Sequence, residues 1–162
     1  SEVIDQYYSN HETTIKNFHN PDISSIIIGD IKVNNQVSTT ECMPIVKRLD
    51  DLELTFEITP DKGDLQLIPS ISFFNKELRN IAECKPENVW INTKENEPVK
   101  FSIKLDSVQF AKGVYTVTLG LVNKNDKQVV FRGQSICGFQ VKSDRLFWTS
   151  FELEGQVKIH SQ

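Results

Sequence analysis

Long apolar runs are missing from this sequence. None approaches the roughly 20 residues that a helix needs to cross a bilayer, and no secretory pattern opens the chain. Methionine occurs once, at Met43, so Ser1 is not an initiator residue and the chain reads as an excised domain or a processed form. Cysteine is sparse and odd in number. Cys42, Cys84 and Cys137 lie far apart, which argues against a disulfide-stapled secreted scaffold and fits small buried thiols in a reducing cytosol. There is no C-x-x-C pair, and His11, His19 and His160 stand near the ends. That disfavours zinc and leaves the middle of the chain without the histidine base of a nucleophilic triad. Gly113 and Gly120 are isolated within strand patterns, so no phosphate-cradling loop is present. An excess of basic residues is missing too: 18 Lys and Arg, scattered along the chain, face 22 Asp and Glu for a net charge of −4. Nucleic acid is therefore not the expected partner, since phosphate binding needs a concentrated basic footprint. The close carboxylates Asp50 and Asp51, and Glu95 and Glu97, lie in loops and read as solvated turn charges. No catalytic residue, metal site or cofactor is expected.

Helical periodicity is also absent, and period-2 alternation takes its place. The central strand is expected after Gly113, where Tyr115, Val117, Leu119 and Leu121 share one face and Thr116, Thr118 and Gly120 the other. Val99, Phe101, Ile103 and Leu105 alternate with Lys100, Ser102 and Lys104 just upstream, and Leu52 to Thr59 alternates as cleanly. Ser24 to Val33 reads as the first strand, with Ile27, Ile31 and Val33 on one parity and Gly29 allowing a bulge. Asn34-Asn35 is a turn signal, and Pro44 confines Glu41 to Lys47 to an edge. In Leu67 to Asn75, Ile71 and Phe73 point inward, with Ser70, Ser72 and Phe74 outward. A short hairpin leads to Asn80 to Cys84, and a long polar connection, Lys85 to Pro98, carries Trp90. Gln128 to Arg132, Ile136 to Lys142 and a terminal Gly155 to His160 complete the strands, the last with Val157 and Ile159 on one side. Roughly nine short strands separated by turns make an all-β fold, an immunoglobulin-like antiparallel β-sandwich of about eight to ten strands. Phe56, Phe73, Phe101, Tyr115, Phe131 and Phe139 are its expected core aromatics. Residues 1–22 are polar and read as a linker or arm, and 23–162 as the sandwich.

Residues alone describe a binding or interaction module. Its candidate surface is the outward side of the central strands, with Ser70, Ser72, Phe74, Thr116, Thr118, Arg132 and Gln140. A shallow polar face with an aromatic suits sugars, whose C–H faces stack while hydroxyls take hydrogen bonds. Arg132 is placed to meet an anionic group bidentately. Trp90, on its loop, is a further candidate. The Gly-led terminal segment can pair with its own sheet or with that of a second copy, a low-cost route to a twofold homodimer.

The order of the segments adds a resemblance. Ile26-Ile-Ile-Gly-Asp-Ile-Lys-Val33 precedes an edge segment and Leu52-Glu-Leu-Thr-Phe-Glu-Ile58. Then come Ile71-Ser-Phe-Phe-Asn-Lys-Glu-Leu78, Val99-Lys-Phe-Ser-Ile-Lys-Leu105 and Lys112-Gly-Val-Tyr-Thr-Val-Thr-Leu-Gly120. Phe139-Gln-Val141, an irregular stretch and a Gly-led end follow. Across residues 23 to 160 this resembles the C-terminal carbohydrate-binding domain of the ATP-binding subunit of O-antigen polysaccharide ABC transporters. The resemblance implies a non-catalytic module that recognises the capped end of a lipid-linked O-antigen polysaccharide at the cytoplasmic face of the bacterial inner membrane and couples it to export. It implies an N-terminal nucleotide-binding domain joined through residues 1–22, a membrane-spanning transporter subunit as partner, and a dimer. Two other classes stand beside it, a protein-interaction or adhesive sandwich and an accessory domain of a glycan-modifying enzyme.

Overall fold

Strict alternation between Leu52 and Pro60 becomes β6 (Leu52–Pro60), a strand in which every second side chain is buried. The computed structural model describes residues 17–145 and 148–160, and all regular structure among them is β. Around β6 a five-stranded sheet is built from β2 (Ile26–Ile28), β3 (Lys32–Val33), β4 (Gln36–Val37) and β10 (Val99–Leu105). β10 runs antiparallel to β6 from Val99 opposite Ile58 to Leu105 opposite Leu52. The opposing sheet has β11 (Gly113–Asn123) at its centre, between β7 (Gln66–Phe74) and β12 (Val129–Lys142). Its flanks are β1 (Asn17–His19) and β5 (Ile45–Lys47) against β12, and β8 (Asn80–Cys84) and β9 (Ile91–Asn92) against β7. All pairings are antiparallel except that of β5 with β12. The inner faces form one core that joins Leu54, Phe56 and Ile58 to Ile71, Phe73, Tyr115, Val117, Leu119, Phe131 and Phe139.

The sandwich and its long strands match the sequence expectation. The twelve short and long strands among the described residues exceed the expected eight to ten because the short β1, β4 and β9 add to the count and the first strand is divided. Gly29 donates to the Glu57 carbonyl at 2.8 Å, and a Cβ there would stand 2.8 Å from Glu57 Oε1. The irregular step at Gly29 and Asp30 flips the side-chain parity. Ile26, Ile31 and Val33 are consequently buried, whereas Ile27, expected on their side, is 63% exposed. Asn34 and Asn35 both take positive φ, 48° and 66°, and form the two-residue turn joining β3 to β4. Phe101 is half-buried because β10 is an edge strand, and it stacks on Phe56 at 5.4 Å.

Three differences bear on the site. The two strands expected at Gln128 to Arg132 and Ile136 to Lys142 are one strand, β12, interrupted by a bulge. Its pairing with β11 jumps from Val117 opposite Cys137 to Leu119 opposite Gly133, with Ser135 at φ 49°. The N-terminal arm joins the domain at Asn17, where β1 pairs with β12, and residues 1–16 lie outside the described residues. The terminal strand expected at Gly155 to His160 is not formed: these residues have no regular structure and pair with no strand among the described residues, with Val157 92% and Ile159 88% exposed. Alternation gave the segment strand character, but a strand also needs a partner, and among the described residues it pairs with none.

Between β1 and β5 the outer edge of β12 is closed by a side chain. The Ser38 hydroxyl donates to the Gly138 carbonyl at 2.6 Å and accepts from the Gly138 N–H at 3.0 Å, so one hydroxyl satisfies both backbone groups that a neighbouring strand would otherwise pair.

Candidate functional site

Strand register puts seven of the eight sequence-derived candidates on one surface, the outward side of the seven-stranded sheet. Ser70, Ser72 and Phe74 come from β7, Thr116 and Thr118 from β11, Arg132 and Gln140 from β12. They lie in transverse rows. Arg132 pairs with Gly120, and Gly120 with Ser70. Thr118 pairs with Ser72, which pairs with Glu83, while Thr116 lies between Gly138 and Phe74. Trp90 stands apart from these rows, before β9, whose Ile91 pairs with Leu67. Its ring is 40% exposed and lies beneath Lys124, whose Nζ is 3.3 Å from the ring centroid.

The middle of the face is closed. The β12 bulge folds over β11, so that the Ser135 N–H donates to Thr118 Oγ1 at 3.0 Å and the Thr116 and Ser135 hydroxyls share a hydrogen bond at 3.2 Å. Thr116 and Thr118 are thereby only 1% and 4% exposed. Met43 covers the neighbouring row: a Cβ on Gly138 would stand 2.7 Å from its Cε. Ser72 is engaged by Glu83 at 3.4 Å. Lys85, Asn80 and Ser72 around that carboxylate hold it below the usual carboxylate range, Lys85 most strongly.

What remains open is the row through Arg132, Gly120 and Ser70. β1 extends it by placing Phe18 opposite Arg132. Phe18 is 51% exposed, in the segment that the sequence assigns to the arm. Its signal is weak: one aromatic in a polar stretch ending in His-Asn-Pro. Gly120 reads from the sequence as an isolated strand glycine; only the register reveals it as the floor between Arg132 and Ser70.

The opposite face of the sandwich holds a cavity of about 100 Å³ lined by Asp30, Lys32, Thr55, Phe56, Glu57 and Lys100. It is well below the ~300 Å³ at which small-molecule sites begin, and Lys100 is committed to Glu57 at 3.5 Å. Chemistry has little to work with elsewhere. Burial pushes the Cys137 thiol up to about 12, which keeps it a protonated core group. Among the described residues no three His, Cys, Asp or Glu side chains are grouped to hold a metal ion, and no helix is long and apolar enough to cross a membrane.

No family model and no curated protein matches the sequence. Solved structures do match. The C-terminal domain of wzt superposes with a TM-score of 0.70 over 96% of this chain and 96% of that one, at 12% identity. A Niemann-Pick type C2 protein from Japanese carpenter ant superposes with a TM-score of 0.53 over 80% of this chain and 99% of that one, at 10% identity. Identities this low speak for the fold. That fold is the one to which the order of the segments points: the chain is built like the C-terminal domain of wzt.

Proposed function

We propose that this domain is a non-catalytic carbohydrate-binding module that recognises the end of a lipid-linked O-antigen polysaccharide and couples it to export by an ABC transporter. The observation that carries the reading is the end-to-end likeness to the C-terminal domain of wzt, 96% of both chains. An open row of aromatic, cationic, bare and hydroxylic positions on one sheet face supports it. In this reading residues 1–22 lead from a nucleotide-binding domain, and the domain works at the cytoplasmic face of the inner membrane beside the membrane-spanning subunit. The test is a titration with the host's own O-polysaccharide, beside an uncapped and a foreign glycan. Selective binding is expected in the micromolar to millimolar range, about −8 to −4 kcal/mol. Absence of binding to all three would move the assignment to a protein-interaction sandwich.

The same reading includes a homodimer formed by exchange of the C-terminal segment. Residues 153–160 pair with no strand among the described residues, while β10 has β6 on one side and an open edge on the other. Alternating apolar side chains left in solvent and an unpaired edge are the two halves of a strand addition. Deleting residues 154–162 is expected to convert a dimer into a monomer by light scattering. An unchanged mass would sink the exchange.

A further inference from the structure

Resting on the glycan-binding reading, we propose that Phe18, Arg132 and Gly120 form a subsite for a sugar residue that carries an oxyanion, a carboxylate or a phosphate. The register sets Phe18, Arg132, Gly120 and Ser70 side by side in one row across four strands. At about 4.8 Å between strands the row is about 14 Å long, enough for more than one sugar ring. Its middle has no side chain. The Ser70 hydroxyl makes no hydrogen bond among the described residues and stands beside this gap, 2.9 Å from where a Gly120 Cβ would be.

Phe18 is presented rather than loose. Its strand is held by the Asn20 N–H on the Val130 carbonyl at 2.9 Å and by the Ile26 N–H on His19 Nδ1 at 3.1 Å. The His19 ring itself lies edge-on to Phe131 at 5.2 Å. A half-exposed phenylalanine on an anchored strand offers a face on which the C–H side of a pyranose stacks. Arg132 beside it is exposed and, among the described residues, has no ion pair or side-chain hydrogen bond. Some other cations of the chain are paired, Arg48 with Glu152, Lys85 with Glu83, Lys100 with Glu57 and Lys104 with Asp51; what sets Arg132 apart is its place beside Phe18. In a chain with more acidic than basic residues, a guanidinium left without a carboxylate next to an open aromatic is complementary to an incoming anion. Its fork matches a carboxylate or phosphate bidentately. The division of labour follows: Phe18 takes the ring, Gly120 gives it room, Ser70 takes a hydroxyl and Arg132 the oxyanion.

The test uses the full 162-residue chain labelled for amide NMR, titrated with trigalacturonic acid, with its methyl ester and with inorganic phosphate. The charged trimer is expected to bind at least about tenfold more tightly than the ester, with shifts at the Gly120 and Ser70 amides and at Arg132 Nε. Arg132→Ala should erase that discrimination, and Arg132→Lys should restore only part of it, because an ammonium lacks the planar fork. Phe18→Ala should weaken the charged and esterified trimers alike, and Gly120→Val should block both. Phe18 and Arg132 are exposed, so the fold survives their changes; Gly120 is on the central strand with Ser70 Oγ 2.9 Å from the added Cβ, and the amide spectrum of Gly120→Val must keep the dispersion of the unaltered chain for its loss of binding to count. Equal binding of acid and ester, discrimination that persists in R132A, or shifts confined to the other sheet would overturn the subsite. So would a response to inorganic phosphate with none to the trimer. If R132A and F18A keep full affinity for the host polysaccharide, the subsite falls while the glycan reading stands. If the unaltered chain binds no glycan, the reading itself falls.

Discussion

Phe139→Ala is expected to remove about 3–5 kcal/mol of folding stability and to lower Tm by about 6–20 °C, the shift appropriate to a chain of this length. Phe139 is fully buried at the place where the two halves of the core meet. Its ring stacks on Tyr115 at 5.6 Å, lies 5.9 Å from Phe110 and meets Phe73 edge-on at 6.1 Å. Phe110 in turn contacts Tyr115 at 4.9 Å and Phe151 at 5.2 Å. Removing the central ring forfeits its transfer energy and several aromatic pairs, each worth about 0.5–1.5 kcal/mol beyond area. The void cannot collapse easily, because the neighbours sit on two different strands and a loop. Phe18→Ala is the matched control, an aromatic deleted from the surface, and should stay within about 0.5 kcal/mol. Thermal unfolding followed by circular dichroism decides the matter: a loss below about 1 kcal/mol for Phe139→Ala would mean that the cluster is not the centre of the core.

That core was largely readable from residues alone. Leu52 to Pro60 and Gln66 to Phe74 bury every second side chain because each has one face on the core, which forces the pattern into the sequence; Gly113 to Asn123 alternates from Tyr115 to Leu121 although Thr116 and Thr118 on its other face are buried as well. Where pairing is partial the pattern weakens. The Ile26 to Val33 run is apolar on both parities, and only the bond from Gly29 to Glu57 decides which isoleucines turn inward. The candidate face was legible as a face, since parity alone assigns Ser70, Ser72, Thr116, Thr118 and Arg132 to one side. Its accessibility was not. The bulge that buries Thr116 and Thr118 is made by Gln134-Ser135-Ile136, with Ser135 in the left-handed region; the signal was Gly133 just before it, where a Cβ would stand 2.6 Å from Ile136 Cγ2. Phe18 eluded the reading for a related reason: β1 is three residues long, and its only partner is β12, more than a hundred residues away. Local sequence carries no trace of such a pairing.

Arg48→Met is expected to destabilise the domain by about 3–5 kcal/mol, and adding Glu152→Met to recover most of that loss. Glu152 is 2% exposed and lies between two guanidinium groups, with Arg48 Nε 3.0 Å from Oε2 and Arg145 Nη1 2.8 Å from Oε1. Neither contact is a well-aimed hydrogen bond: both carboxylate oxygens and Arg48 Nε are close but poorly directed, so charge rather than geometry holds the cluster. Arg48 Nη2 also donates to the Glu152 carbonyl and to Glu154 Oε1, both at 2.6 Å. Deleting Arg48 alone would leave a buried carboxylate facing only Arg145, which is 67% exposed. Deleting both charges removes the desolvation cost together with the attraction. The cluster fastens the C-terminal segment at its last anchored point, where the Ala111 N–H bonds the Ser150 carbonyl at 2.8 Å and the Glu152 N–H bonds Gln109 at 2.9 Å. Beyond Glu154, residues 155–160 are exposed and belong to no strand. The single and double variants therefore separate two roles by urea unfolding. A coupling energy of several kcal/mol makes the cluster an anchor whose charges matter only as a pair. Additive losses would mean that Arg48 acts through its bonds to the Glu152 carbonyl and Glu154, and that the buried carboxylate contributes nothing of its own.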